Sequence, residues 1–197
     1  MQIRIYRNED ETQWIRTRVL AFLDTAYYDS VYNYKEKYEN PAIELVSEED
    51  GLITGILDLE LDTGDRKVCK KNSVLSAMIW HLAVHPDYRR KGIAAGLLKE
   101  AEQICRQKEI FRIEAWTRDD DWVRQWYFNQ GFKSVYSYLH LNLEYEEMKG
   151  LIESKIEGII PIKMYAHYSE NNADETDKIK KLFKRVNECV MFEKNIA

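Results

Sequence analysis

Leu82-Ala83-Val84-His85-Pro86-Asp87-Tyr88-Arg89-Arg90-Lys91-Gly92-Ile93-Ala94 is the stretch on which the fold of this chain turns. Residues 76–84 are strongly apolar and read as a buried strand, which Pro86 stops because proline has no N–H for a ladder. Beyond the stretch, Ile93, Leu97, Ala101, Ile104 and Cys105 recur every three to four residues. That spacing predicts a helix over residues 92–108 with a single apolar stripe. A strand therefore runs into a helix through a short basic turn. The first turn of a helix leaves amide N–H groups unpaired, and the macrodipole makes that end positive. Gly92 and Ala94 keep bulky side chains away from those amides, while Arg89, Arg90 and Lys91 add cationic groups beside them. The turn reads as a cradle for a pyrophosphate. Neither GxGxxG nor GxxxxGK[ST] occurs, so dinucleotide and P-loop readings have no support.

Working outward, residues 2–6 form a short opening strand and residues 9–22 a helix carrying Trp14, Ile15, Val19 and Phe22. Residues 27–38 hold five tyrosines among acids and lysines and predict a helix or an ordered loop. Residues 43–46 and 53–61 are two strands of a hairpin joined by Ser47-Glu48-Glu49-Asp50-Gly51. Residues 62–72 are a polar connection. On the other side, residues 110–117 are a strand. Asp119-Asp120-Asp121 offers N-cap oxygens to a helix over residues 122–130, which Gly131 ends. Residues 132–145 are a long strand, residues 146–156 are amphipathic and residues 159–167 strand-like. A charged helix over residues 174–186 and a last strand over 188–193 complete the reading. With no repeat and no linker, the order gives one α/β domain over residues 1–197: a mixed sheet with helices on its faces.

Composition narrows the function classes. The chain has 197 residues, 45% apolar and 32% charged, the balance of a folded domain. A net charge of −5 argues against nucleic acid as a partner. No apolar run approaches the ~20 residues of a membrane span, and residues 1–10 lack a signal-peptide core, so a cytoplasmic location is expected. The three cysteines, Cys69, Cys105 and Cys189, are scattered and form no zinc or redox motif, so no metal is expected.

Residues 82–94 resemble motif A of the GNAT acetyltransferases, whose core is Gln/Arg-x-x-Gly-x-Gly/Ala. Trp126-Tyr127-Phe128-Asn129-Gln130-Gly131-Phe132 is similar to a second motif of that family, Leu/Phe-Tyr-x-x-x-Gly-Phe, one helix and one strand later. The resemblance runs from the first strand to about Tyr145 and implies the GNAT fold: a central, mostly antiparallel twisted sheet flanked by helices, with residues 146–197 as a C-terminal extension. It also implies acetyl-CoA as co-substrate. The strand holding Leu82, Ala83 and Val84 is then expected to splay from residues 110–117. Pantetheine lies in that cleft and the pyrophosphate rests on the turn of Arg89, Arg90, Lys91, Gly92, Ile93 and Ala94. Asp120 stands where many relatives carry a cofactor-contacting asparagine, and Tyr127 where the family places a tyrosine facing the CoA sulfur.

Acyl transfer from a thioester to an amine requires loss of the amine proton, a donor for the oxyanion and protonation of the departing thiolate. Tyr127 is the candidate acid. Where relatives carry a glutamate or histidine base, this chain has Met78 and Trp80, so no base carries over. Asp58 and Glu60 share a strand face and are candidates to receive the proton through water; His81 lies opposite Met78 and Trp80 if the strand is regular. The amine can also bind in its neutral form. The resemblance implies that the acceptor is recognised by the first helical region and the C-terminal strands, here Asp24, Tyr27, Tyr28, Asp29, Tyr32 and Tyr34 and residues beyond Tyr136; acids among aromatics suit a small cationic amine. Acetylation of a protein N-terminus or lysine, and a non-catalytic acyl-CoA sensor, stay open as rivals. For the extension, three roles are open: completing the sheet, capping the acceptor site or forming a homodimer contact.

Overall fold

The computed structural model describes residues 1–70, 74–169 and 172–196. The last two residues of the expected 62–72 connection, and Glu170, Asn171 and Ala197 of the extension, lie outside the described residues. Eight strands form one sheet: β1 (Gln2–Ile5), β2 (Ala42–Glu49), β3 (Leu52–Leu61), β4 (Ala77–Val84), β5 (Arg112–Thr117), β6 (Lys133–Glu144), β7 (Lys163–Tyr168) and β8 (Val186–Asn195). Their order across the sheet is β1-β2-β3-β4-β5-β8-β6-β7, antiparallel throughout except for the β4–β5 pair. Among the described residues five α-helices accompany them: α1 (Glu11–Leu23), α2 (Ile93–Gln107), α3 (Asp121–Asn129), α4 (Tyr145–Met148) and α5 (Ala173–Leu182).

The two faces carry different cores. Leu45, Leu57, Leu59, Ile79 and Ile113 meet the buried stripe Ile93, Leu97, Leu98, Ala101 and Cys105 of α2. Tyr127, Phe132, Val190 and Phe192 continue that core. On the opposite face, Trp14 and Ala21 of α1 cover Val46, Ile56 and Ala83. The hairpin is tighter than expected: β2 runs on to Glu49, and Asp50 (φ 53°) with Gly51 (φ 78°) makes a two-residue turn whose positive φ values suit the strand twist. Residues 27–38 form a loop without helix or strand.

One expectation needs correction. Asp119, Asp120 and Asp121 do not cap α3 with their side chains. The Asp120 carboxylate instead accepts the Ala26 N–H at 3.1 Å, and Asp119 accepts from Asn187 Nδ2 at 2.8 Å. The extended Asp120 backbone (φ −78°, ψ 97°) aims its carboxylate at the loop after α1. Of the amphipathic segment 146–156 only residues 146–148 are helical, within α4. Met148 is buried, but Leu151, Ile152 and Ile156 are exposed. β8 lies between β5 and β6, with Phe192 fully buried, so residues 186–195 supply an interior strand of the sheet. Among the described residues no helix is long and apolar enough to cross a membrane.

Candidate functional site

The β4–β5 pair is where the sheet opens. The two strands are in register only at Ala77↔Ile113, Met78↔Glu114 and Ile79↔Ala115. Beyond Ile79 they diverge, so residues 80–84 have no ladder partner on β5 while β4 stays paired with β3 on its other edge. Parallel strands that part at their carboxyl ends leave a crevice, the usual place for a ligand in such a sheet. A cleft of about 1370 Å³ occupies it. That exceeds the ~300–1,000 Å³ usual for a single small-molecule pocket and leaves space for two substrates.

At one end lies the basic turn. Arg90 (φ 62°) and Gly92 (φ 78°) both adopt left-handed backbone, which for a non-glycine residue such as Arg90 costs energy and bends the chain into a concave turn. The first amide of α2 to find an acceptor is that of Gly96, bonded to the Gly92 carbonyl at 2.9 Å. Among the described residues the amides of Lys91, Gly92, Ile93, Ala94 and Ala95 have none. Arg89, Arg90, Gly92, Ile93, Ala94 and Ala95 line the cleft, as do Leu82, Ala83 and Val84. Arg89 is also an anchor: it donates to Asp24 at 3.0 Å and to the Ala21 carbonyl at 2.9 Å, and stacks on Trp122. Lys91 places its ammonium over the Tyr88 ring and is not a lining residue.

One wall is α3, through Trp122, Val123, Trp126 and Tyr127. Gly131 (φ 83°) ends the helix, with Phe132 N–H bonded to the Tyr127 carbonyl and Gly131 N–H to that of Phe128. This pair of bonds is a Schellman motif, and it fixes the backbone of Tyr127. The Tyr127 ring stacks on Phe192 at 5.2 Å and meets Phe132 edge-on, so the ring is a core residue. Its hydroxyl has no hydrogen-bond partner among the described residues, and burial raises its pKa above the ordinary value, keeping it a donor. Asp120 lines the same wall with its carboxyl pKa raised by burial.

The proton-acceptor candidates are sorted by a β-bulge. Asp58 pairs with His81 but Leu59 pairs with Ile79, so Trp80 is an extra residue on β4. The bulge reverses the facing that a regular strand gives: His81 shares a face with Met78, Asp58 and Glu60, which corrects the expectation that it points away. Asp58 is fully buried, bonded to Lys35 at 2.7 Å and Tyr38 at 2.8 Å, and is not a lining residue. Glu60 lines the cleft but accepts from Asn40 N–H at 2.9 Å and Trp80 Nε1 at 2.7 Å, which commits both oxygens. His81 also lines it, with Nε2 3.3 Å from Glu36 Oε2. Its Nδ1 is buried and has no partner among the described residues. Arg18, buried beneath, donates to both Glu36 oxygens. Burial opposes the Glu36 charge, yet the His81 and Arg18 contacts prevail and hold its carboxyl at about 2. Glu36 was not singled out in the sequence, where it is one acid among many in a tyrosine-rich loop.

Of the residues expected to bind an acceptor, Tyr27 and Tyr32 line the cleft. Asp24 is taken by Arg89. Asp29 is taken by Arg185 at 2.6 Å and Lys163 at 3.1 Å, contacts that pull its carboxyl well below the usual range. Tyr28 lies under Arg185, and Tyr34 stacks on Tyr32. The far wall comes from Trp116, Arg118, Tyr138 and His167, the last two among the residues beyond Tyr136 where the resemblance places acceptor recognition.

Residues 7–138 match the model of the Acetyltransferase (GNAT) family. A search of curated proteins finds no match. Among solved structures, the chain is similar to a tandem GNAT protein from the clavulanic acid biosynthesis pathway, with 13% identity, coverage of 100% of this chain and 98% of that one, and a TM-score of 0.73. It is similar to the PaiA N-acetyltransferase of Thermoplasma acidophilum in complex with coenzyme A: 21% identity, 68% and 90% coverage, TM-score 0.54. A third likeness is the ribosomal-protein-alanine N-acetyltransferase of Brucella melitensis, with 13% identity, 99% coverage of both chains and a TM-score of 0.58.

Proposed function

The chain belongs to the GNAT family of acetyltransferases, enzymes that use acetyl-CoA, and from that premise we propose that its whole length forms one domain that acetylates a small cationic primary amine by direct attack. The observation that carries this is the cleft itself: unpaired strand edge, unpaired helix amides and a buried phenol meet at one opening. Pantetheine binds along Leu82, Ala83 and Val84, and the pyrophosphate binds the amides at Gly92, Ile93 and Ala94, with Arg89, Arg90 and Lys91 supplying positive field. Asp120 borders the cofactor through the wall of α3.

The amine sits at the other end, where Glu36 and the rings of Tyr32, Tyr38 and Trp80 border the cleft. Ring faces attract a cation. The ammonium first gives one proton to water; as the neutral nitrogen then attacks the thioester carbonyl, its new bond to carbon forms and its second proton passes to the Glu36–His81 pair that lines the cleft. The Glu36 carboxylate, bound to Arg18, stabilises the resulting imidazolium as such partners do. The carbon–sulfur bond then breaks, and Tyr127 donates its proton to the thiolate and recovers one from water.

The test is release of free CoA from acetyl-CoA with a panel of primary amines of differing pKa. The expected kcat/KM profile has an inflection that stays fixed across the panel and disappears in His81→Gln. An inflection that moves with each amine's own pKa instead means that the amine binds neutral and needs no protein base. Turnover restricted to peptides would point to a protein acceptor, and binding without turnover to a sensor.

A further inference from the structure

The far wall contains a chain of nitrogen contacts whose proton positions follow from chemistry. Arg118 Nη2 is 3.3 Å from His140 Nε2, and His140 Nδ1 is 3.1 Å from His167 Nε2. A guanidinium can only donate, so His140 Nε2 must be the acceptor. A neutral imidazole has one donor and one acceptor, so His140 carries its hydrogen on Nδ1 and gives it to His167 Nε2. His167 in turn carries its hydrogen on Nδ1. Arg118 is buried and held by the Ala26 carbonyl and Ser30, so it cannot swing aside. The rings are held too: Tyr138 packs on His167 at 4.5 Å and Tyr165 on His140 at 5.6 Å. His167 is exposed, lines the cleft, and has no partner on Nδ1 among the described residues.

We propose that His167 is a specificity residue of the acceptor site, presenting a fixed Nδ1–H that selects amines bearing a carbonyl or carboxylate oxygen. This rests on the acetyltransferase reading above. The chain of contacts from Arg118 through His140 orients His167 as a donor toward the cleft. Burial and the nearby Arg118 charge push the His140 pKa down to about 4, so the ring stays neutral at ordinary pH. His167 belongs to β7, outside the residues matched by the family model, and it enters the cleft because β7 pairs with β6 at His140↔His167. The C-terminal extension thereby contributes to substrate choice.

Two readouts test this on the full chain. In the first, long-range proton–nitrogen correlation spectra of CoA-loaded protein at neutral pH report the histidine tautomers without requiring turnover. Both His140 and His167 are expected as Nδ1–H forms. An ω-amino amide is expected to shift the His167 Nδ1–H signal where an alkylamine of equal length does not. In the second, kcat/KM is measured for alkylamines, ω-amino amides and ω-amino acids over a series of chain lengths. The best amide is expected to exceed its matched alkylamine by roughly tenfold, and the carboxylate to do so by more, the scale of one neutral or charge-assisted hydrogen bond. His167→Phe should abolish that preference and His167→Gln, which retains an N–H, should restore part of it. An Nε2–H form of His167, or an equal preference in His167→Phe, would overturn the proposal. Absence of turnover with every amine, alongside the expected tautomers and amide-dependent shift, sinks the acetyltransferase reading and leaves the donor intact.

Discussion

Placing a methyl group on Gly55 should disturb acetyl-CoA binding from beneath. Gly55 lies on β3 opposite Val84, under the first turn of α2. A Cβ there would stand 2.5 Å from Ile93 Cγ2 and 3.1 Å from Leu97 Cδ1. Carbon atoms rest at about 3.5–4.0 Å, so the separation must grow by about 1 Å or more. Ile93 is 2% exposed and β-branched on a helix, which leaves it little rotamer freedom, and Leu97 is fully buried. The first turn of α2 therefore has to lift from the sheet. Overpacking of this kind costs about 1–3 kcal/mol, or roughly 2–12 °C of Tm for a chain of this length. Because the same turn carries the unpaired amides of Gly92, Ile93 and Ala94, affinity for CoA should fall about three- to tenfold, equivalent to ~0.7–1.4 kcal/mol. Thermal unfolding by circular dichroism and calorimetric titration with CoA measure the two effects on Gly55→Ala. Ile93→Ala removes the clashing methyl and costs stability of its own, yet Gly55→Ala should be milder in that background than in the native one. Unchanged Tm and affinity in Gly55→Ala, or strictly additive effects in the double variant, would refute the reasoning.

Two further outcomes follow. Gly92→Glu, which adds bulk and negative charge at a residue with φ 78°, should weaken CoA binding severely in calorimetry, while retained affinity in a folded variant would remove the turn from the site. His140 has its pKa lowered from 6.5 to about 4 by burial and by Arg118, so the unfolded chain binds more protons between those values. Stability should therefore rise with pH across that window, by at most about 1.4 kcal/mol per unit from this group. His140→Gln should flatten that part of the curve of urea-unfolding free energy against pH, and an unaltered slope would show that His140 titrates normally.

Much of this was legible because local signals agreed with the fold. The apolar run ending at Pro86 is β4, the stripe from Ile93 to Cys105 is the buried face of α2, and Gly131 ends α3 with positive φ. What escaped was what no local signal encodes. A single extra residue at Trp80 decides which face His81 occupies, and alternation alone carries no mark of it. The carboxylates of Asp119 and Asp120 were drawn to N–H groups of Asn187, Glu188 and Ala26, partners distant in sequence. Glu36 became part of the cleft through a loop whose course depends on Arg18. The interior place of β8 depends on long-range pairing with β5 and β6, and nothing in the local sequence of residues 186–195 names those partners.

The central claim, that this cleft transfers acetyl groups with Tyr127 as the proton donor, is tested most directly by kcat of Tyr127→Phe. Phenylalanine keeps the ring that stacks on Phe192 and loses only the hydroxyl, so folding and acetyl-CoA affinity should be nearly unchanged. The predicted result is a kcat lowered roughly ten- to a thousandfold, within or just below the range for losing a general acid. A stable variant with full activity would contradict the claim, and lost stability with undiminished kcat in the folded fraction would reduce Tyr127 to a packing residue.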